Sequence, residues 1–193
     1  MRKVLGRNFY ERSPVIVARQ LIGKLLVRQL SDGILLEGLI LETEAYAGSR
    51  DPASHAYNGM TKRNEVMFGE AGHAYVYFTY GFHHCLNFVT GKKGVASAVL
   101  IRALEPLKGI ETMRILRNKV AATELTSGPG KLCQALSIDR KLNGIDITTS
   151  LSPIRVIDTG RRMVTRSSTR IGIRSGLEKK WRFYASQNEY VSK

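Results

Sequence analysis

The spacing of apolar residues changes several times along the chain, and each change predicts a different element. Ser13-Pro14 reads as a helix cap with proline at the first helical position. Val15, Ala18, Leu21 and Ile22 then recur at helical spacing, and Gly23 ends the helix. Lys24 to Leu30 and Ile34 to Thr43 have strand character and flank the turn Ser31-Asp32-Gly33. Residues 47 to 72 are polar, glycine-containing and aperiodic, longer than an ordinary connection. Ala74 to Thr79 returns to alternation, with Tyr75 and Tyr77 on one face and Val76 and Phe78 on the other.

Leu86 to Val89 and Ala98 to Ala103 predict two more strands, separated by Gly91-Lys92-Lys93-Gly94. The second is a continuous apolar run, as in a central strand, and it leads into Arg102. Leu107, Ile110, Met113 and Leu116 recur every third residue and predict a helix. A second short helix follows Gly128-Pro129, with Leu132, Ala135 and Leu136 as its stripe. Ile154 to Ile157 and Arg170 to Ile173 read as late strands, and Trp181, Phe183 and Tyr184 as anchors of the C-terminal segment. Strands concentrate in the middle and helices at the margins. This pattern is a mixed α+β arrangement rather than a repeated βαβ unit.

The chain has 193 residues and is 43% hydrophobic, enough for one domain over residues 1 to 193 with a real core. Its formal charge is +14, from 30 Lys and Arg against 16 Asp and Glu, distributed along the chain rather than held in a tail. A folded basic surface of this kind favours an anionic partner, nucleic acid first. The N-terminal sequence lacks an apolar signal core, and no apolar run approaches about 20 residues, so no membrane association is expected. Cys85 and Cys133 read as buried free thiols of a reducing, cytoplasmic compartment, and their separation does not suit a metal site.

Against this basic background, carboxylates, tyrosines and a histidine gather between Leu41 and Asn87. Glu42 and Glu44 share a face if the strand persists. Either can deprotonate a water and stabilise positive charge on a sugar, and either can be an ordinary salt-bridged strand glutamate. A carboxylate pair suggests a glycosidase, and the positive charge points to a glycosidic bond of nucleic acid rather than of carbohydrate. Tyr46, Tyr75, Tyr77 and Tyr80 can stack on bases or fill a core. Gly81 between Tyr80 and Phe82 permits a turn that would lift both aromatics from the sheet as a wedge. His55 is a candidate donor to a bound base or to a sugar-phosphate oxygen.

Candidate phosphate contacts are Lys62-Arg63, Lys92-Lys93, Lys131, Arg161, Arg162, Arg166 and Arg170. Each can also be a solvated charge. Arg102 differs, because its place at the end of an apolar strand suits a buried partner to a carboxylate. Gly128-Pro129-Gly130-Lys131 is too short for a Walker loop, though it can bring a lysine and helix amides near a phosphate. Residue types alone leave three readings open: a nucleic-acid glycosidase, a non-catalytic binder of distorted duplex DNA, and an RNA-binding module.

Several segments, in order, resemble the alkyladenine (methylpurine) DNA glycosylase family. They are ETEAY at 42 to 46, Asp51 to His55, RNEVMF at 63 to 68, AYVYFTYG at 74 to 81, LIRALEPLKGIETMR at 100 to 114 and SGPGKLCQAL at 127 to 136. The resemblance implies a single compact domain around a curved antiparallel sheet with peripheral helices and a protruding hairpin that enters DNA. It implies a monomer that flips a damaged purine from double-stranded DNA and hydrolyses its N-glycosidic bond without cofactor or metal. It places the catalytic glutamate at Glu44, which separates it from Glu42, and the arginine of the water site at Arg102. It places the base pocket at Tyr46, His55, Tyr77 and Asn87, and the intercalating tip at Tyr80, with Phe82 beside it.

Overall fold

The computed structural model describes residues 3–79, 81 and 83–192. Tyr80 and Phe82, the expected wedge, lie outside the described residues. In chain order the elements are β1 (Lys3–Val4), α1 (Arg7–Tyr10), α2 (Pro14–Leu21), β2 (Leu25–Gln29), β3 (Leu35–Ala47), β4 (Ala74–Thr79) and β5 (His83–Thr90). There follow β6 (Ser97–Lys108), α3 (Ile110–Arg117), α4 (Pro129–Ala135), β7 (Ile154–Asp158), β8 (Thr165–Ser168) and β9 (Arg182–Ala185).

One antiparallel sheet organises the chain, in the order β1-β7-β2-β3-β6-β5-β4. The 13-residue β3 pairs along one edge with β6. Its other edge pairs first with β2, over Leu35–Leu39, and then with β9, over Glu42–Glu44. A single strand that changes partner part-way must bend, and its pairing with β6 is irregular near Glu42. There Glu42 opposes Ala103 and Thr43 opposes Ile101, so Arg102 is skipped. An extra residue of this kind re-aims its side chain, and Arg102 turns toward the carboxylates of β3.

Alternation divides the sheet into two working faces. Val76, Leu86, Phe88, Val99 and Ile101 join the main core with Val17, Ala18 and Leu21 of α2 and Leu132 of α4. Thr43 donates its hydroxyl to the Ala18 carbonyl at 2.9 Å, which seats α2 on β3. The alternate positions, including Tyr75, Val89 and Ala98, pack with Ala56 and Met67 from the long 48–72 connection in a smaller cluster. That connection holds only two short 3-10 turns, Gly48–Arg50 and Glu65–Phe68.

Three local expectations are corrected. Residues 170 to 173 form a loop, and the late strands are β8 and β9. Arg170 and the Ile171 amide in that loop bond to Asp51 and Glu44, contacts that define its path more strongly than a short apolar alternation does. The helix predicted from Leu107 begins at Ile110, because β6 continues to Lys108 and Gly109 turns the chain at φ 75°. Ser13 precedes α2 with Pro14 at its start, but its hydroxyl makes no capping bond.

Gly48 opens the connection that carries His55, at φ 59°. A Cβ there would lie 2.4 Å from the Val95 carbonyl oxygen, a backbone atom that cannot step aside. Gly48→Ala is expected to destabilise the fold by about 2 kcal/mol, from the left-handed strain and the clash together. Urea denaturation measures this, and an unchanged midpoint would show that the turn relaxes freely.

Candidate active site

Tyr46 on β3, Tyr75, Tyr77 and Thr79 on β4, Cys85 and Asn87 on β5, and Ala98, Leu100 and Arg102 on β6 face one cavity of about 220 Å³. Ala53, His55 and Met67 from the 48–72 connection, Pro129 of α4 and residues 171 to 173 close its remaining sides. The spacing of two along four strands is what brings these residues to one side of the sheet.

Glu44 is fully buried behind this wall, and its three partners, Tyr46, Arg102 and Ile171, all border the cavity. Its Oε1 accepts the Ile171 amide at 2.7 Å and lies 3.4 Å from Arg102 Nη1. Its Oε2 accepts the Tyr46 hydroxyl at 2.8 Å. A carboxylate oxygen has two acceptor positions, so among the described residues Oε2 keeps one without a protein donor. Glu42 differs. Its Oε1 accepts Arg102 Nε at 3.1 Å and Arg182 Nε at 2.5 Å, and its Oε2 accepts both the amide and the hydroxyl of Ser192. All four of its acceptor positions are used, which suits a structural counter-ion.

The ionisable groups respond to this enclosure. Burial alone would lower the Arg102 guanidinium, but Glu44 and then Glu42 outweigh it and hold it above its ordinary value. Burial, and then the charge of Glu44, push the Tyr46 phenol well upward, so it stays a hydroxyl donor. Tyr77 is raised by burial and then by Cys85, and burial takes Tyr75 up to about 12.

His55 keeps an exposed edge while its ring packs edge-on against Tyr77, with centroids 4.6 Å apart. Partial desolvation, then the charge of Arg63, bring its imidazole down to about 4. Arg63 Nη2 is 3.4 Å from His55 Nε2 and can only donate. This assigns the proton to Nδ1, which donates to the Tyr75 hydroxyl at 3.1 Å. Asn87 donates its amide to the Tyr75 carbonyl at 3.0 Å, which leaves its own carbonyl oxygen as the other polar end of the side chain.

A family model described as Methylpurine-DNA glycosylase (MPG) matches residues 8–189. The chain belongs to the methylpurine-DNA glycosylase family. Relatives bear the provisional name 3-methyladenine DNA glycosylase. One from Carboxydothermus hydrogenoformans is 54% identical, over 98% of this chain and 99% of the relative. Others are from Methanocella arvoryzae, 50% identical over 98% and 96%, and Clostridium perfringens, 46% identical over 98% of both chains. Membership makes the chain a DNA glycosylase, a DNA-repair hydrolase whose partner is damaged DNA.

Tyr46, His55, Tyr77, Asn87 and Arg102 therefore border one cavity, with Glu44 buried behind its wall. The candidate phosphate contacts do not share one environment. Lys62, Lys92, Lys93, Arg161, Arg162 and Arg166 are exposed. Arg161 and Arg162 border a broad open groove with Lys3, Arg12, Arg19 and Lys24, away from the cavity lining. Lys131 is half-buried and donates to Ser127 at 3.3 Å. Arg63 is exposed at the cavity rim, with its guanidinium 5.1 Å from the Tyr77 ring centre.

Arg170 is the correction. It is buried, forks onto both oxygens of Asp51 and donates to the Ala45 carbonyl at 2.8 Å, so it has no exposed face for a phosphate. Two contributors had no readable signal in the sequence. The Ile171 amide is a backbone group common to most residues, and the enclosure of Asp51 depends on a residue 119 positions away. Among the described residues, no three of His, Cys, Asp and Glu gather in a way that could hold a metal ion, and no helix is long and apolar enough to cross a membrane.

Because burial and Arg63 both oppose its protonation, His55 is expected to titrate with a midpoint below about 5 in an NMR pH series, against an ordinary value near 6.5. Its contribution to stability is then complete above about pH 6.5 and is lost as the pH falls toward 4, where the unfolded chain binds the extra proton first. Arg63→Ala should raise the midpoint. A parent midpoint near 6.5 would contradict the desolvated, neutral assignment.

Proposed function

We propose that the chain excises alkylated purines from duplex DNA by flipping the damaged nucleotide into the aromatic cavity and hydrolysing its N-glycosidic bond. The observation that carries this reading is the difference between the two buried glutamates. Glu42 is saturated by chain partners, whereas Glu44 sits behind the cavity wall with an acceptor position left on Oε2. A water held there by Glu44 adds to C1′ of the deoxyribose as the bond to the base nitrogen breaks. The base departs with the bonding electrons, and the water's proton passes to the carboxylate. Until then the ionised carboxylate stabilises the oxocarbenium charge on the sugar, and Arg102 keeps it aimed.

In this reading the base lies between Tyr46 and the His55–Tyr77 pair. Purines methylated at N3 or N7 are cationic, so tyrosine faces favour them by about 0.5 to 2 kcal/mol, and their charge makes them good leaving groups. 3-Methyladenine and 7-methylguanine are the proposed substrates, with hypoxanthine and ethenoadenine as neutral ones that need a proton on the leaving group. The Asn87 side chain, anchored through its amide, presents a polar edge against which normal guanine is screened. Strands β4 and β5 form an antiparallel pair joined through Gly81, which is exposed at φ 75°, and this supports Tyr80 and Phe82 as the inserted tip. No Schiff-base lysine enters this scheme, so the product is free base and an intact abasic strand. We infer a monomer in the cytoplasm.

Glu44→Gln preserves shape and removes the base. Single-turnover excision of 7-methylguanine from a duplex should fall at least about 100-fold, while affinity for the lesion persists. Release at the parent rate would move the role to Glu42 or end the hydrolytic reading.

The exposed Lys92-Lys93 pair and Arg161, Arg162 and Arg166 should contribute counterion release without reading sequence. Log affinity should fall linearly with log salt, by about 0.9 per phosphate neutralised. Replacing one true contact with Ala reduces that slope by about one unit, equally for damaged and undamaged duplex. An unchanged slope marks the side chain as a solvated charge.

A further inference from the structure

We propose that the buried Asp51–Arg170 pair is a positioning device for excision, joining three separate walls of the cavity so that Glu44 and the stacking rings keep their reactive arrangement. This rests on the reading of Glu44 as the base that activates water.

The geometry is a two-point fork. Arg170 Nη1 donates to Asp51 Oδ2 at 2.5 Å and Nη2 to Oδ1 at 2.8 Å, with both side chains fully enclosed. Burial alone would raise the Asp51 carboxyl, but the hydrogen bonds and charge of Arg170, with the Ala47 and Ala53 amides, hold it below its ordinary value. The pair is thus ionised and rigid. A planar fork fixes orientation as well as distance, which a single-point ammonium contact does not.

Each end of the pair is tied to part of the site. Asp51 accepts the Ala47 amide at 3.2 Å and the Ala53 amide at 3.3 Å, which anchors the segment running to His55. Arg170 donates to the Ala45 carbonyl, between Glu44 and Tyr46, and its guanidinium stands 4.7 Å from the Tyr46 ring centre. Trp181 lies against the same guanidinium at 5.4 Å. The next residue along the chain, Ile171, donates its amide to Glu44 Oε1. One ion pair therefore connects the His55 segment, the Tyr46 ring and the loop that holds Glu44. A buried ion pair adds little stability over apolar residues of equal volume, so a role in geometry accounts for it better than a role in stability.

The test compares Asp51→Asn, Arg170→Met and the double variant with the parent and Glu44→Gln, on a duplex bearing one 7-methylguanine. Binding is measured on the same duplex with a tetrahydrofuran abasic analogue, across a salt series. Each single variant should unfold cooperatively in urea and bind within about threefold of the parent with the parent's salt slope. Its maximal single-turnover rate should fall about 10- to 100-fold, the scale expected for a misplacement of about 1 Å. The double variant should be no slower than the slower single, because both changes break one interaction.

Folded variants that excise within about twofold of the parent overturn the proposal. So does an Arg170→Met slope lower by about one unit with weaker binding to damaged and undamaged DNA alike, which would make Arg170 a phosphate contact. Loss of the folded state in both single variants overturns it too, since the pair would then be a requirement of the fold. A parent that releases no methylated purine removes the proposed function instead, and is read in the same experiment.

Discussion

Two glutamates of one strand, Glu42 and Glu44, are fully buried, and much of the tertiary structure answers that fact. A carboxylate removed from water costs several kcal/mol unless charge and hydrogen bonds replace its hydration. Arg102 answers both, at 3.1 Å and 3.4 Å, and it reaches them because the register of β6 skips its position. Glu42 takes the rest of its compensation from Arg182 on β9 and from Ser192, and Glu44 from Tyr46 and the Ile171 amide. The C-terminal segment is thereby drawn back onto the middle of the sheet. Removal of one buried partner would strand a charge, at about 3 to 5 kcal/mol, so the network holds together as a unit.

That network lies on one side of a sheet whose other side is an ordinary apolar core. Val76, Leu86, Phe88, Val99 and Ile101 pack against α2 and α4, while the intervening residues carry tyrosine, asparagine and arginine to the cavity. The division lets a rigid body support a polar site without placing polar groups in the main core. It also keeps Glu44, Tyr46, Tyr77, Asn87 and Arg102 on strands, where neighbours lock their rotamers, and leaves mainly the roof to the 48–72 and 169–176 connections. The two kinds of element meet at Asp51 and Arg170.

Charge is sorted by depth. The excess of 14 positive charges is displayed by side chains such as Lys92, Lys93, Arg161 and Arg162. The interior holds matched groups, Arg102 with two glutamates and Arg170 with Asp51. A polyanion is attracted to the exterior, while the cavity is lined by aromatic faces and by a histidine whose imidazole is brought down to about 4. The family membership of the chain accords with that arrangement.

The sequence alone determined the elements with strong local periodicity. The helix after Pro14, β4 with its two tyrosines on one face, the apolar run of β6 and the short helix after Gly128-Pro129 all lie where the pattern put them. A period of two also put Glu42 with Glu44 and Tyr75 with Tyr77 on shared faces, whereas the choice of Glu44 and the place of Asn87 came from the family resemblance. Residue similarity carried the family. Residue similarity had separated Glu44 from Glu42, whose parity is the same, but only the tertiary structure showed that Glu42 is saturated, because its further partners come from β9 and the C-terminal segment. The tertiary structure also decided that Arg170 is buried rather than exposed, that residues 170 to 173 form a loop, and that α3 starts after Leu107. The reason is common to all of these. Local periodicity reports which face a side chain occupies, whereas burial and ion pairing depend on what distant parts of the chain bring to that face.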